Sequence, residues 1–298
     1  MDVVRVGFDE WRHPGGSPMN VAYGLAKLGV DTRFLTQLGD DADGDAIRNH
    51  LAAAGVKLLD ESNDGTETSV SMATIGPDGS ATYSFDIDWK LPAFTGLHLT
   101  KWIHVGSIAT FLPPGADSLE RLLRVVKDTT SISYDPNIRP SLLGEHEQAL
   151  SRFERIARLA KVVKLSDEDA AWLYPSQSED SVIDKIFTLG PQIVAITQGA
   201  AGARVSTQRH SVEVPSPAVE VVDTIGAGDS FMAALISALL AVDATSVGVR
   251  QLQHIAKLSV TAAAITCSRT GADPPRLLEL LAALGIRRTA AGRFDRDR

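Results

Sequence analysis

The chain has 298 residues, enough for one large α/β domain or two smaller ones, and its 44% apolar and 22% charged content is that of an ordinary globular protein. A net charge of −8 argues against a broad basic surface for nucleic acid or anionic lipid, and a single cysteine, Cys267, excludes an intramolecular disulfide and a cysteine-built zinc cluster. The strongest apolar run, 231–242, is too short to span a bilayer, and no charged-then-apolar leader opens the chain, so a cytoplasmic protein with no membrane partner is expected.

In chain order, "HPGGSPMNVAYGLAKLG" (13–29) places two glycines before a helix-like run from Met19 to Lys27. Gly15 and Gly16 free the backbone to pack against a ligand, and Asn20 offers donor and acceptor to vicinal hydroxyls. A glycine turn that only starts the helix explains the same residues. Thr32–Leu38 reads as a strand and Gly44–Ala54 as a helix. "TSVSMATIGPDGSATYSFDI" (68–87) has two β-rich arms around a turn, a hairpin that serves as a flap or as an edge of the main sheet. Strand and helix then alternate: Trp102–Val105, Asp117–Val126, Ser131–Tyr134, Glu145–Leu159, Val162–Leu165, Ser181–Leu189 and Ile193–Thr197. Such alternation predicts a mostly parallel sheet with helices on both faces and a ligand at the C-terminal strand ends. The end, 287–298, is charged, lacks apolar period and reads as a flexible tail.

The stretch "VVDTIGAGDSF" (221–231) leads into an apolar helix-like run, Phe231–Leu240. Small residues Gly226, Ala227 and Gly228 at a helix mouth expose unpaired N–H groups at the positive end of the helix dipole, an anion site. Asp229 in the first turn acts either as a helix acid or as a general base toward a hydroxyl. Asp223 and Thr224 precede it with further oxygens. Donors for a developing phosphoryl charge beside a base for the acceptor are what phosphoryl transfer needs. The chain has no P-loop and no G-x-G-x-x-G opening an N-terminal helix.

These residues resemble the two signatures of the ribokinase-like (PfkB) family of carbohydrate kinases. The resemblance extends in family order through "YDPNIRPSLL" (134–143), "VKLSDEDAAWLYP" (163–175), "ITQGAAGA" (196–203) and "CSRTGADPP" (267–275), and within the family is nearest to bacterial fructokinases. It implies a single ribokinase-like domain over 1–298 with a small β lid formed largely by 66–92. It implies ATP-dependent phosphorylation of a sugar, D-fructose at its C6 hydroxyl first, with Asp229 as base and Gly226, Ala227 and Gly228 as anion hole. A 2-keto-3-deoxygluconate kinase and a catalytically impaired sugar- or nucleotide-binding protein are the alternatives. By matching positions, Asp2, Gly15, Gly16, Asn20 and Arg139 contact the sugar, and Lys164, Thr197, Gly199, Gly202 and Thr224 contact ATP. Arg139 in a surface ion pair, and Thr197, Gly199 and Gly202 in a tight strand connection, are equally good readings of the residues alone. "SDED" (166–169) stands where the family assists Mg2+; Ser166 and Asp169 are poor or short ligands, so Asp169 acts through water, or simply caps a helix. Asp223, Ile225, Thr266, Arg269 and Gly271 match positions that hold K+ in some relatives. The resemblance leaves monomer and lid-paired dimer both open. It also implies a first strand ahead of the glycine signature that is absent here; "MDVVR" reads as the end of that segment, with Asp2 at the sugar-binding position, and low stability or activity is expected.

Overall fold

The computed structural model describes residues 1–59, 62, 67–75, 81–93, 100–242, 244, 247–288 and 294–296. Strand β1 (Asp2–Val6) turns back into β2 (Asp9–His13), and helix α1 (Ser17–Lys27) follows. Next come β3 (Arg33–Phe34), α2 (Ala42–Ala54), β4 (Lys57–Leu58), β5 (Val70–Ile75) and β6 (Ala81–Asp86). The alternating half of the chain holds β7 (Trp102–Gly106), α3 (Gly115–Val126), β8 (Ser131–Asp135), α4 (Pro140–Leu143), α5 (His146–Ala157), β9 (Val162–Ser166), α6 (Asp167–Leu173), α7 (Glu179–Leu189) and β10 (Ile193–Thr197). It closes with β11 (Ala203–Thr207), β12 (Ser211–Val214), α8 (Ala227–Leu239), α9 (Val249–Cys267), α10 (Leu277–Ala283), β13 (Ile286–Arg288) and β14 (Phe294–Arg296).

The main sheet has six strands in the order β12-β11-β10-β9-β8-β7. Strands β7 to β10 run parallel, and β11 and β12 add antiparallel. Its central strands are buried on both faces and apolar apart from Lys164 and the terminal Ser166 and Thr197, as a sheet covered on both sides requires. One apolar layer joins α3, α5, α6 and α7 to the sheet through Leu123, Phe153, Leu173 and Ile186, all fully buried. The opposite layer joins α1, α8 and α9 through Val21, Phe231, Leu235 and Leu252. Helix α8 is apolar nearly all round because it is flanked by α1 and α9 within the layer that covers this face of the sheet.

A second sheet has the order β2-β1-β5-β6. The expected hairpin arms pair antiparallel from Val70–Asp86 to Ile75–Ala81, and the turn residues 76–80 lie outside the described residues. "MDVVR" pairs here, antiparallel to β2 and parallel to β5, and so belongs to the small sheet rather than to a core strand.

Two expectations differ from the structure. The strand expected over Thr32–Leu38 contracts to Arg33–Phe34, because only β4 pairs with it and a space opens on its other side. The tail expected over 287–298 includes a short antiparallel pair, Ile286–Arg288 with Phe294–Arg296, which satisfies backbone groups that a free end would leave to water.

Strand β7 is the edge of the main sheet among the described residues. Between it and β3 lies an apolar cavity of about 660 Å³. Trp102 to Gly106 line one side and Thr32 to Leu35 the other, with Leu25 and Ile236 above and Leu119 and Leu122 below. His104 borders this slot; its Nε2 is buried without a hydrogen-bond partner among the described residues, and burial pulls its pKa down to about 3, so the ring is neutral.

Candidate active site

The C-terminal ends of β8 and β9 converge on the mouth of α8. Gly226 stops the preceding loop in a left-handed conformation, φ 76°, and α8 begins at Ala227. A side chain at Gly226 would also sit 2.6 Å from the Ala272 methyl. Gly226→Ala is therefore expected to cost about 1–3 kcal/mol of stability and to displace the helix mouth; thermal melting beside a turnover assay checks both.

Asp229 lies in the first turn of α8 and is buried. Its Oδ1 accepts a hydrogen bond from Ser17 Oγ at 2.6 Å, and its Oδ2 accepts one from Asn20 Nδ2 at 2.8 Å. Both donors come from α1, on one helix face by their i, i+3 spacing. The contact depends on a close helix crossing: a side chain at Gly24 of α1 would stand 2.9 Å from the Ala233 methyl of α8. Burial raises the Asp229 pKa, and the two hydrogen bonds and the charges of Lys164 and Arg139 oppose that rise.

Lys164 ends in the interior, 2.9 Å from Asp135 Oδ2, with both side chains at least 95% buried. A side chain at Gly228 would lie 3.0 Å from its Nζ, so the ammonium sits directly beneath the helix mouth. Burial pulls the Lys164 pKa down, but the carboxylates of Asp135, Asp169 and Asp229 outweigh it and keep the group charged. Burial pushes Asp135 up to about 6 against the pull of that ammonium.

Gly15 packs so closely on Asp2 that a side chain there would collide with the Asp2 carboxylate. Asp2, Gly15, Gly16, Gln37, Thr68 and Trp89 border a cavity of about 220 Å³ between α1 and the small sheet. Burial raises the Asp2 pKa, and the charges of Asp229 and Arg139 act on it in opposite directions. Arg139 is exposed, forms no ion pair among the described residues, and donates to the Ile138 carbonyl at 2.9 Å. Its field reaches both Asp2 and Asp229.

The remaining candidates lie at helix caps, strand ends and loops. Asp169 caps α6 in a reciprocal box with Ser166, and its Oδ1 also accepts from Ile138 N at 2.8 Å. Both of its oxygens are engaged by backbone, which fits a contact to a hydrated ion better than direct coordination. Among the described residues no group of three or more His, Cys, Asp or Glu could hold a metal ion. Thr197, Gly199 and Gly202 form the tight connection of β10 to β11, closed by Gln198 N donating to Gly202 O at 2.8 Å. Thr224 O accepts from Ala227 N at 3.3 Å, so the first N–H of the helix mouth is already weakly engaged. Asp223 bridges two loops by accepting from Ile225 N at 3.0 Å and from Gly271 N at 2.9 Å. Thr266 is fully buried beside them, whereas the Arg269 side chain turns away to Glu279 at 2.8 Å.

A model of the pfkB family carbohydrate kinases matches residues 2–278. The chain is 32% identical over 234 residues to a fructokinase of Rhizobium leguminosarum bv. trifolii, covering 76% of this chain and 72% of that protein. The chain belongs to the pfkB family of carbohydrate kinases. It is a sugar kinase, a phosphotransferase. A fructokinase of Klebsiella pneumoniae is also 32% identical, over 76% of this pfkB kinase and 77% of the relative. The fold superposes on a Vibrio cholerae O395 fructokinase double mutant solved with fructose, ADP and a potassium ion, with TM-score 0.80, 26% identity and coverage of 95% and 94%. It also superposes on a Pyrococcus horikoshii sugar kinase solved with ATP, with TM-score 0.77, 25% identity and coverage of 94% of each chain. The mixed α/β expectation and the family resemblance both hold for this pfkB kinase.

Ser17 and Asp135, the partners of Asp229 and Lys164, escaped the sequence reading. Ser17 was legible only as the hydroxyl three residues before Asn20. Asp135 ends β8 at the C-terminal edge of the sheet, where α/β proteins place ligands, but no local pattern marks it as a partner of Lys164. No helix among the described residues is long and apolar enough to cross a membrane.

Proposed function

We propose that the chain transfers the γ-phosphoryl group of Mg-ATP to D-fructose, giving fructose 6-phosphate, with Asp229 as general base. The observation that carries this is the buried Asp229 carboxylate, fixed by two α1 donors at the mouth of α8 and set above the Lys164 ammonium. The acceptor hydroxyl approaches from the cavity bordered by Asp2, Gly15 and Gly16, with Asn20 at its edge. Asp229 takes the hydroxyl proton as the oxygen attacks phosphorus. Lys164, the N–H groups of Gly228 and its neighbours Gly226 and Ala227, and the positive end of α8 meet the charge that spreads over the phosphoryl oxygens. Mg2+ bound with ATP would neutralise phosphate charge, and Asp169, whose oxygens are taken by backbone, would meet it through water. Thr197, Gly199, Gly202 and Thr224 border the nucleotide. A monovalent cation, K+ first, sits against the joined loops of Asp223, Ile225, Thr266, Arg269 and Gly271, chiefly through backbone oxygens. Fructose and ADP in the Vibrio cholerae structure, and the names of the curated relatives, support the sugar and the nucleotide.

One observation favours a second reading. Arg139 is exposed, free of ion pairs among the described residues, and faces Asp2 and Asp229. An unpaired guanidinium there suits a substrate carboxylate such as that of 2-keto-3-deoxygluconate. Phe8 and Trp11, exposed beside the edge of the small sheet, support pairing of the lid with a second copy.

A coupled ADP-release assay with Mg-ATP across fructose, 2-keto-3-deoxygluconate, ribose and adenosine, against a no-sugar control, tests the proposal. Turnover selective for fructose is expected. Selectivity for 2-keto-3-deoxygluconate moves the assignment to the second reading, and sugar binding without turnover moves it to a binding protein.

A further inference from the structure

We propose that Ser17 is a positioning residue for the phosphoryl-transfer base: its hydroxyl locks Asp229 Oδ1, and with Asn20 on Oδ2 it fixes the carboxylate plane and favours its anionic form. The inference rests on Asp229 being the base. The geometry is specific. Ser17 is the first residue of α1, one position past the Gly16 N-cap, and its hydroxyl makes no capping bond to the helix. The hydroxyl instead donates across the site, at 2.6 Å, to a residue 212 positions away. Both partners are buried, so water does not compete for the bond.

A hydrogen bond to an anionic acceptor in such a place is short and strong. It has two consequences for a base. With one donor on each oxygen, the carboxylate cannot rotate, and its remaining lone pairs point in fixed directions at the incoming hydroxyl. A donor to the charged form also favours that form. The other charged groups facing Asp229 come from several elements. Lys164 on β9 and Arg139 after β8 are cationic and favour the anion, whereas Asp135 on β8 and Asp2 on β1 are acidic and oppose it. Burial opposes it most. Ser17 thus offsets part of the cost of keeping a base dry, and gives up some base strength in return.

The test compares the pH dependence of kcat/KM for the native chain, Ser17→Ala and Ser17→Thr, with Asp229→Asn as a reference. A base must be deprotonated, so activity rises with pH through its pKa. Loss of the Ser17 donor is expected to move that acid limb up by about one pH unit and to lower kcat by several-fold, leaving sugar KM within a few-fold. Ser17→Thr, which keeps the hydroxyl, is expected to return the limb toward its native position. A 13C-carboxyl titration by NMR, with the Asp229 signal identified by its loss in Asp229→Asn, reads the same shift without turnover. An unchanged limb and an unchanged titration in Ser17→Ala overturn the inference. If Asp229→Asn keeps native turnover, the base assignment fails, and the titration still decides what Ser17 does to the carboxylate. Should Ser17→Ala not fold, Ser17→Cys, a weaker donor of similar size, is expected to give a smaller upward shift, and no shift overturns the inference.

Discussion

Asp229→Asn is expected to lower turnover by about 10³-fold while sugar affinity stays within a few-fold. The magnitude is that of removing a positioned general base, typically 10²–10⁴. The exchange is nearly isosteric, so α8 keeps its mouth and the anion hole keeps its donors. Ser17 Oγ still has an oxygen to donate to, and Asn20 meets the new amide by turning its own. The substitution also removes a buried negative charge whose burial raises its pKa. The melting temperature is therefore not expected to fall, and that separates lost chemistry from lost structure. Isothermal titration with the sugar and a single-turnover assay check the two halves. Retention of more than a tenth of native turnover excludes Asp229 as the base. A chain whose native form shows no turnover with any sugar tested has nothing for the substitution to remove, and that outcome favours a binding protein.

The helix mouth was legible in the sequence because its chemistry is local. Gly226 to Asp229 are consecutive, and an apolar run after small residues places them on a buried helix. The parallel sheet was legible for a similar reason: β8, β9 and β10 fall within a residue of the apolar runs that predict them. What joins distant segments was not legible. The hydrogen bonds of Ser17 and Asn20 to Asp229 exist only because α1 crosses α8 closely at Gly24. Asn20 reads in the sequence as a sugar contact, and it also holds the carboxylate expected to act on the sugar. Likewise nothing local pairs Asp135 with Lys164; parallel register between β8 and β9 brings them together. Asp169 shows the converse. Its local helix-capping role was readable, and the structure engages both carboxylate oxygens with backbone.

The second large effect concerns the slot beside β7. An apolar strand of about five residues, fused ahead of residue 1, is expected to raise the melting temperature by roughly 10 °C. Two strand edges, β7 and β3, face each other across the slot, and among the described residues each pairs on its far side only. Apolar helices continue over both openings, so an inserted strand would be covered on both faces, as its neighbours are. A strand there would add backbone hydrogen bonds along two edges, each worth about 1 kcal/mol net. Its side chains would fill space that now leaves Leu25, Leu119, Leu122 and Ile236 facing a cavity. A gain of several kcal/mol is a shift of about 2–4 °C for each in a domain of this size class. The same strand would extend β3 toward the Thr32–Leu38 span that the apolar pattern predicts. It would also stiffen Phe34 and Leu35, which border both the slot and the cavity at Asp2, so turnover is expected to rise with stability. Thermal melting of the two chains, with an equally long Gly/Ser extension as control, measures this. Equal melting temperatures for the apolar and Gly/Ser extensions would falsify the idea that the slot accepts a strand.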